Sequence, residues 1–154
     1  MEIKDLRRRS NIEEDKKLIA QYDFFESLMK ALIKRELPLD VITVINQGIE
    51  GLNSFSGSNK DLLKEFRKKQ AEILQLLEKE LKLVCKGHYR NLWMSVGMAA
   101  FGLPMGVAFG ISLGNMAFIG VGLPLGIALG MAYGTSLDKK ACEEGKQLEL
   151  EITI

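Results

Sequence analysis

Gly102-Leu103-Pro104-Met105-Gly106 and, twenty residues later, Gly122-Leu123-Pro124-Leu125-Gly126 are the stretches on which the fold turns. Each opens a run with glycine at every fourth position: Gly102, Gly106, Gly110, Gly114, then Gly122, Gly126, Gly130, Gly134. Both runs lie within residues 91–137, which carry no formal charge and hold 10 of the 15 glycines in the 154-residue chain. Outside that interval the chain is polar. Of its charged side chains, 33 lie in residues 1–90 and 8 in residues 138–154.

An uncharged apolar run of 18 or more residues reads as membrane-spanning. As a single helix this one would extend about 70 Å, against a bilayer core of about 30 Å. Two spans fit, about 92–114 and 116–137, with a tight uncharged break at Gly114-Asn115. The alternative is a buried hairpin in a soluble protein, but the other 107 residues, many of them charged, could hardly cover both helices. Tyr89 and Trp93 at the start of the first span, and Tyr133 near the end of the second, occupy positions expected of interfacial anchors.

Lys82, Lys86 and Arg90 precede the first span, and Lys139, Lys140 and Lys146 follow the second. The turn has no basic residue. The positive-inside rule therefore expects both termini to be cytoplasmic, with only the turn near Asn115 reaching the far side. Arg7-Arg8-Arg9 lead into a polar helix rather than an apolar segment, so no cleavable signal is expected, and Glu2 excludes N-myristoylation.

In lipid, apolar helices gain nothing from the hydrophobic effect by associating; close backbone approach and dispersion must hold them together. Residues four apart share a helix face, and glycine removes the side chain that would separate the backbones. Each interior glycine costs about 1 kcal/mol of helix propensity relative to alanine, so packing must offset roughly 10 kcal/mol for ten of them. The reading divides between packing within the hairpin alone and packing that also drives self-association. Two glycine faces per chain offer more than one hairpin contact consumes, which favours homo-oligomers. Pro104 and Pro124 fall at about the same depth of an antiparallel hairpin, and each can kink its helix.

The stretch Gly102–Gly134 resembles the glycine-zipper segments of small bacterial membrane proteins, a motif also present in channel-lining helices and membrane-active toxins. The resemblance covers about a third of the chain and implies oligomerisation and a pore.

The expected fold class is all-α: a cytoplasmic helical domain over residues 1–90, the transmembrane hairpin over 91–137, and a cytoplasmic tail over 138–154. Ser10-Asn11-Ile12-Glu13 has the form of a capping box, opening a helix from about Asn11 to Glu36 with Leu18, Tyr22, Phe25, Met29, Leu32 and Ile33 as its stripe. Leu37-Pro38 ends it. Asp40 can cap a second helix to about Asn53, with Val41, Val44, Ile45, Ile49 and Leu52 on one side, although Val41–Ile45 reads equally as a strand. A third helix starts near Ser58, carries Leu63, Phe66, Ile73, Leu77, Leu81 and Val84, and runs toward the membrane with Gly87 as a hinge. The three can pack on each other or bundle with other copies in coiled-coil fashion. Asp138–Gln147 continues helical, and alternation at Leu148, Leu150, Ile152 and Ile154 suggests a short strand, a docking tail or a frayed end.

No catalytic constellation emerges, so no enzyme activity and no cofactor are expected. His88 is the single histidine, and with two cysteines it cannot complete a tetrahedral zinc site in one chain. Cys85 and Cys142 flank the hairpin on the same side as free thiols, palmitoylation sites or a redox pair. Residues 1–90 carry 18 Lys+Arg against 15 Asp+Glu, and the compact Arg7–Arg9 cluster suits anionic lipid or an acidic partner better than nucleic acid. Ion-coupled transport needs ionisable groups inside the membrane, and the spans have none. The expected partners are the bilayer, other copies of the chain and a cytoplasmic protein. The leading expectation is a self-associating, membrane-perturbing or pore-forming protein of toxin or defence-effector type; the rival is a membrane-anchored adaptor.

Overall fold

Helix α1 (Lys16–Ile33) begins where Asp15 turns its carboxylate back onto the Lys17 and Leu18 amides, satisfying donors that a helix start otherwise leaves free. A computed structural model describes residues 2–9, Ile12 and 15–151. The helix is shorter than the sequence pattern suggests at both ends, and the Ser10–Glu13 capping box lies largely outside the described residues. Its buried face is Leu18, Gln21, Tyr22, Phe25, Leu28, Met29 and Leu32, whereas Ile33 is 65% exposed. Ile33 is the last residue of the helix.

Helix α2 (Leu39–Ser54) follows Pro38, which occupies the N-cap position without a side-chain bond; Asp40 lies in the first turn rather than capping. The Val41–Ile45 stretch is helical, and the buried residues are Val41, Ile42, Ile45, Asn46, Gly48, Ile49 and Leu52, with Val44 facing outward. In α3 (Asn59–Leu81), Ser58 accepts from the Asp61 amide as the N-cap. The buried row is Leu62, Phe66, Gln70, Ile73 and Leu77, so Leu62, not Leu63, points into the core. Helix α3 packs against both α1 and α2, and Phe66 is the hub. Its ring meets Tyr22 at 4.6 Å and Phe25 at 5.2 Å, both edge to face, the geometry that the ring quadrupole favours.

Lys82 ends α3 in the left-handed conformation, with φ +56°. The third helix therefore does not continue through Val84. Val84–Lys86 forms strand β1, which pairs with strand β2 (Gln147–Glu151) in a two-stranded sheet. Leu148 and Leu150 thus belong to a strand, a small departure from an all-α fold, while Ile152 and Ile154 lie outside the described residues.

The second compact unit, Cys85–Gln147, is an apolar helical hairpin. Its first arm, His88–Ser112, and second arm, Met116–Glu143, are each long and apolar enough to cross a membrane, the most apolar 18-residue stretch of each having mean hydropathy of 1.6 and 1.8. The first arm starts four residues before Leu92. The second stops at Glu143, short of Gln147, because Gly145 takes φ +68° and the Lys146 amide donates back to the Ala141 carbonyl, closing a Schellman turn.

Gly114 closes the first arm in the same way. With φ +65° it donates to the Ile111 carbonyl, while the Asn115 amide reaches the Gly110 carbonyl at 3.0 Å. Asn115 then opens the second arm, its side-chain oxygen accepting from the Ala117 amide at 2.9 Å. The break falls at the Gly114-Asn115 dipeptide that the uncharged run suggests.

Candidate functional site

The seam between the two arms is built almost entirely of backbone. A methyl group on Gly126 would stand 2.5 Å from both the Gly102 nitrogen and the Gly97 carbonyl oxygen; one on Gly106 would stand 2.6 Å from the Ile119 oxygen. Methyl groups on Gly122, Gly130 and Gly134 would collide with the carbonyls of Gly102, Trp93 and Tyr89 respectively. A methyl on Gly102 would stand 3.1 Å from the Leu123 Cα, and one on Gly110 3.1 Å from the Met116 sulfur. The structure thus brings Gly102, Gly106, Gly110, Gly122, Gly126, Gly130 and Gly134 together inside one hairpin. Gly114 is not among them: it belongs to the turn and has open space around it. Within the chain, each arm's glycine row faces the other arm.

Two residues extend the seam beyond the expected glycines. Gly97, whose methyl would strike the Gly126 carbonyl, stands five residues before Gly102 instead of four. The extra residue is absorbed by a π turn over Met98–Gly102, in which the Leu103 amide bonds back to the Met98 carbonyl. Pro104 follows directly. It has no amide hydrogen to offer the fourth residue back, so the wider turn both restores the register and fits the proline. In the second arm the helix passes through Pro124 without such a turn. The contacts of Gly102 with Leu123 and of Gly106 with Ile119 place the two prolines about one helical turn apart in depth.

Asp138, four residues after Gly134, takes the next position of the second arm's row. It is 9% exposed, and its two oxygens accept from the Tyr89 and Arg90 amides at 3.0 Å each. Gly87, with φ +74°, offers no side chain at the start of the first arm. A carboxylate from the opposite arm therefore caps that helix, where the helix dipole favours negative charge. Beside this clasp the Trp93 and Tyr133 rings meet edge to face at 4.5 Å, so two of the expected anchors form one aromatic pair; Tyr89 sits in the first turn, its carbonyl against Gly134.

A second constellation lies in the helical unit and carries no recognised sequence motif. Residues 2–9 form a strap held by two asparagines of α2. Asn46 accepts from the Lys4 amide at 2.8 Å and donates to the Glu2 carbonyl at 3.0 Å. Asn53 repeats the pattern three residues further along the strap, accepting from the Arg7 amide at 2.8 Å and donating to the Asp5 carbonyl at 3.0 Å. Lys4 pairs with Glu50, and Arg8 reaches Asp23 at 2.5 Å and Glu26 at 2.7 Å on α1. Those two carboxylates, Glu26 first, raise the affinity of the Arg8 guanidinium for its proton. Arg9 donates to the Phe55 and Gly57 carbonyls and lies over the Phe55 ring. The Arg7–Arg9 cluster is therefore engaged within the chain, through Arg8 and Arg9. An asparagine pair seven residues apart on a helix is the one signal that could have pointed to this site.

Among the described residues no group of three or more His, Cys, Asp or Glu side chains assembles to hold a metal. Cys85 is buried, and burial pushes its thiol up to about 11, while Cys142 is exposed. A thiolate-directed maleimide at pH 7–8 should therefore label one cysteine per folded chain, at Cys142, and two after denaturation; mass spectrometry reads the count directly. Fast labelling of Cys85 in the folded protein would contradict its burial.

The fold and the seam define a class: a helical protein with a glycine-packed apolar hairpin. No family model, curated protein or solved structure matches the chain.

Proposed function

We propose that the chain is a membrane-anchored helical adaptor, its hairpin embedded in the bacterial inner membrane and its helical unit on the cytoplasmic side, docking a protein partner. The observation that carries this reading is the inverted packing of the hairpin. Its buried residues are mainly glycines, while Leu92, Phe101, Leu103, Ile111, Leu125 and Leu129 face outward. Only 22% and 17% of the most apolar windows of the two arms are buried, unlike the core helices of a soluble protein. In water, each such exposed side chain would forgo about 1.5–3 kcal/mol; in lipid it loses nothing.

Orientation follows from the basic residues at the open end of the hairpin and their absence from the turn. Support for an anchor over a self-associating pore comes from the seam: with the glycine rows turned on each other, copies would have to meet through bulkier outward side chains. Pore formation remains the reading that the zipper resemblance implies, and one experiment separates the two. After alkaline carbonate extraction the chain should stay with the membrane pellet, and vesicles reconstituted with it should retain an entrapped dye. Release into the supernatant would overturn membrane anchoring; dye leakage that a Gly126→Leu variant abolishes would favour the pore.

A further inference from the structure

The strap lies in its seat the way a bound peptide would. Asn46 and Asn53 are seven residues apart, about 10 Å along the helix, and the chain covers that distance in three residues, which requires it to be nearly fully extended. Each asparagine brackets one residue, Ile3 and Leu6, by taking the amide after it and the carbonyl before it. Ile3, Leu6 and Arg9 are the half-buried residues of the strap, a period of three that matches a polyproline II strand, whose backbone groups are otherwise free.

Main-chain capture of this kind is independent of sequence, since any extended peptide presents the same amides and carbonyls. Selectivity comes from the side chains around it. Glu50 faces the position after the first bracketed residue, Asp23 and Glu26 the position four further on, and the Phe55 ring and carbonyls the next. Ile3, the first bracketed residue, stands with Leu32, Ile33, Leu37 and Ile42 in the wall of a cleft that Glu2 and Arg35 complete. Besides the four asparagine hydrogen bonds, the strap is attached by exposed ion pairs, which water screens, and it buries no side chain fully. Its covalent connection adds an effective concentration of about millimolar, the scale for a short flexible tether.

We propose that the face formed by α1 and α2 is a binding site for an extended basic peptide of a partner protein, with an aliphatic residue followed by Lys and, four and five residues later, paired arginines, and that residues 2–9 occupy it as a built-in competitor. This deepens the adaptor reading and rests on it for the partner, but not on the membrane for the binding. Displacement of the strap would couple partner docking to release of the Arg7–Arg9 cluster.

The probe is a fluorescent peptide with the sequence of residues 2–9, titrated by anisotropy against the full chain in detergent micelles. In the Arg8→Glu chain the strap is repelled by Asp23 and Glu26 while the seat is intact, so this chain should bind the peptide at least ~10-fold more tightly than the wild type, which carries its own competitor. Adding Asn46→Ala and Asn53→Ala to the Arg8→Glu chain should abolish binding, and a peptide bearing Arg8→Glu should not bind. Circular dichroism checks that each variant keeps its helices. Equal affinity of the wild-type and Arg8→Glu chains overturns the proposal, as does binding that survives loss of both asparagines. A wild-type dimer that becomes monomeric on Asn46→Ala and Asn53→Ala would place a second copy's strap in the seat and also overturn it. Failure here leaves carbonate extraction unaffected, so the anchoring reading falls or stands separately.

Discussion

Gly126→Leu is expected to pry the hairpin open and to lower its thermal stability in detergent sharply. The methyl position at residue 126 lies 2.5 Å from Gly102 nitrogen and Gly97 oxygen and 2.6 Å from Gly102 Cα. All three are backbone atoms, so no rotamer change can make room. Overpacking of a well-packed core costs about 1–3 kcal/mol where side chains can adjust; against a rigid backbone the upper end applies to alanine and more to leucine. Gly120→Ala is the matched control. Nothing lies within 4 Å of a methyl there, so the change should be neutral or slightly stabilising through helix propensity. Thermal unfolding of the three proteins in one detergent checks the order: Gly120→Ala at or above wild type, Gly126→Leu far below. Equal melting temperatures for Gly126→Leu and wild type would mean that the arms do not meet as described.

The second large effect belongs to Asp138. Replacing it with alanine removes both acceptors from the Tyr89 and Arg90 amides, at the start of an arm whose cap residue, Gly87, has no side chain. Loss of an N-cap costs about 0.5–2 kcal/mol, and hydrogen bonds to a charged group are worth about 1.5–3 kcal/mol, so a loss of about 2 kcal/mol is expected. Asp138→Asn keeps one oxygen acceptor and should fall between. The decisive readout is local: hydrogen exchange at Tyr89 and Arg90 should be slow in wild type, intermediate in Asp138→Asn and fast in Asp138→Ala, with the turn at Gly114-Asn115 unchanged. Uniform acceleration along both arms would indicate general unfolding instead of an opened clasp.

Much of this architecture is legible in the order of residues. The 47 uncharged positions announce two long apolar helices, the Gly114-Asn115 pair marks their break, and three polar helices precede them. Errors cluster where periodicity is ambiguous within one residue. Leu62 and Leu63 are adjacent, Ile42 and Val44 stand on either side of Thr43, and only the position of the neighbouring helix selects which is covered. Gly97 escaped because a four-residue rule cannot see across a π turn. Asp138 escaped because a charge at the end of an apolar run reads as its boundary, although it continues the register of Gly122, Gly126, Gly130 and Gly134. The strap escaped because asparagines on a helix usually signal solvent, and their value here lies in what residues 2–9 bring to them.

What residue order determined by itself is local: where backbone can be bare, where charge is absent, where helices begin and stop. Those properties follow from each side chain's own volume, charge and conformational range. Which surfaces the bare backbone meets was decided only in three dimensions. A glycine row can serve a neighbour in the same chain or in another copy equally well, because its contribution is the absence of a side chain, and an absence specifies no partner until a second backbone occupies the space.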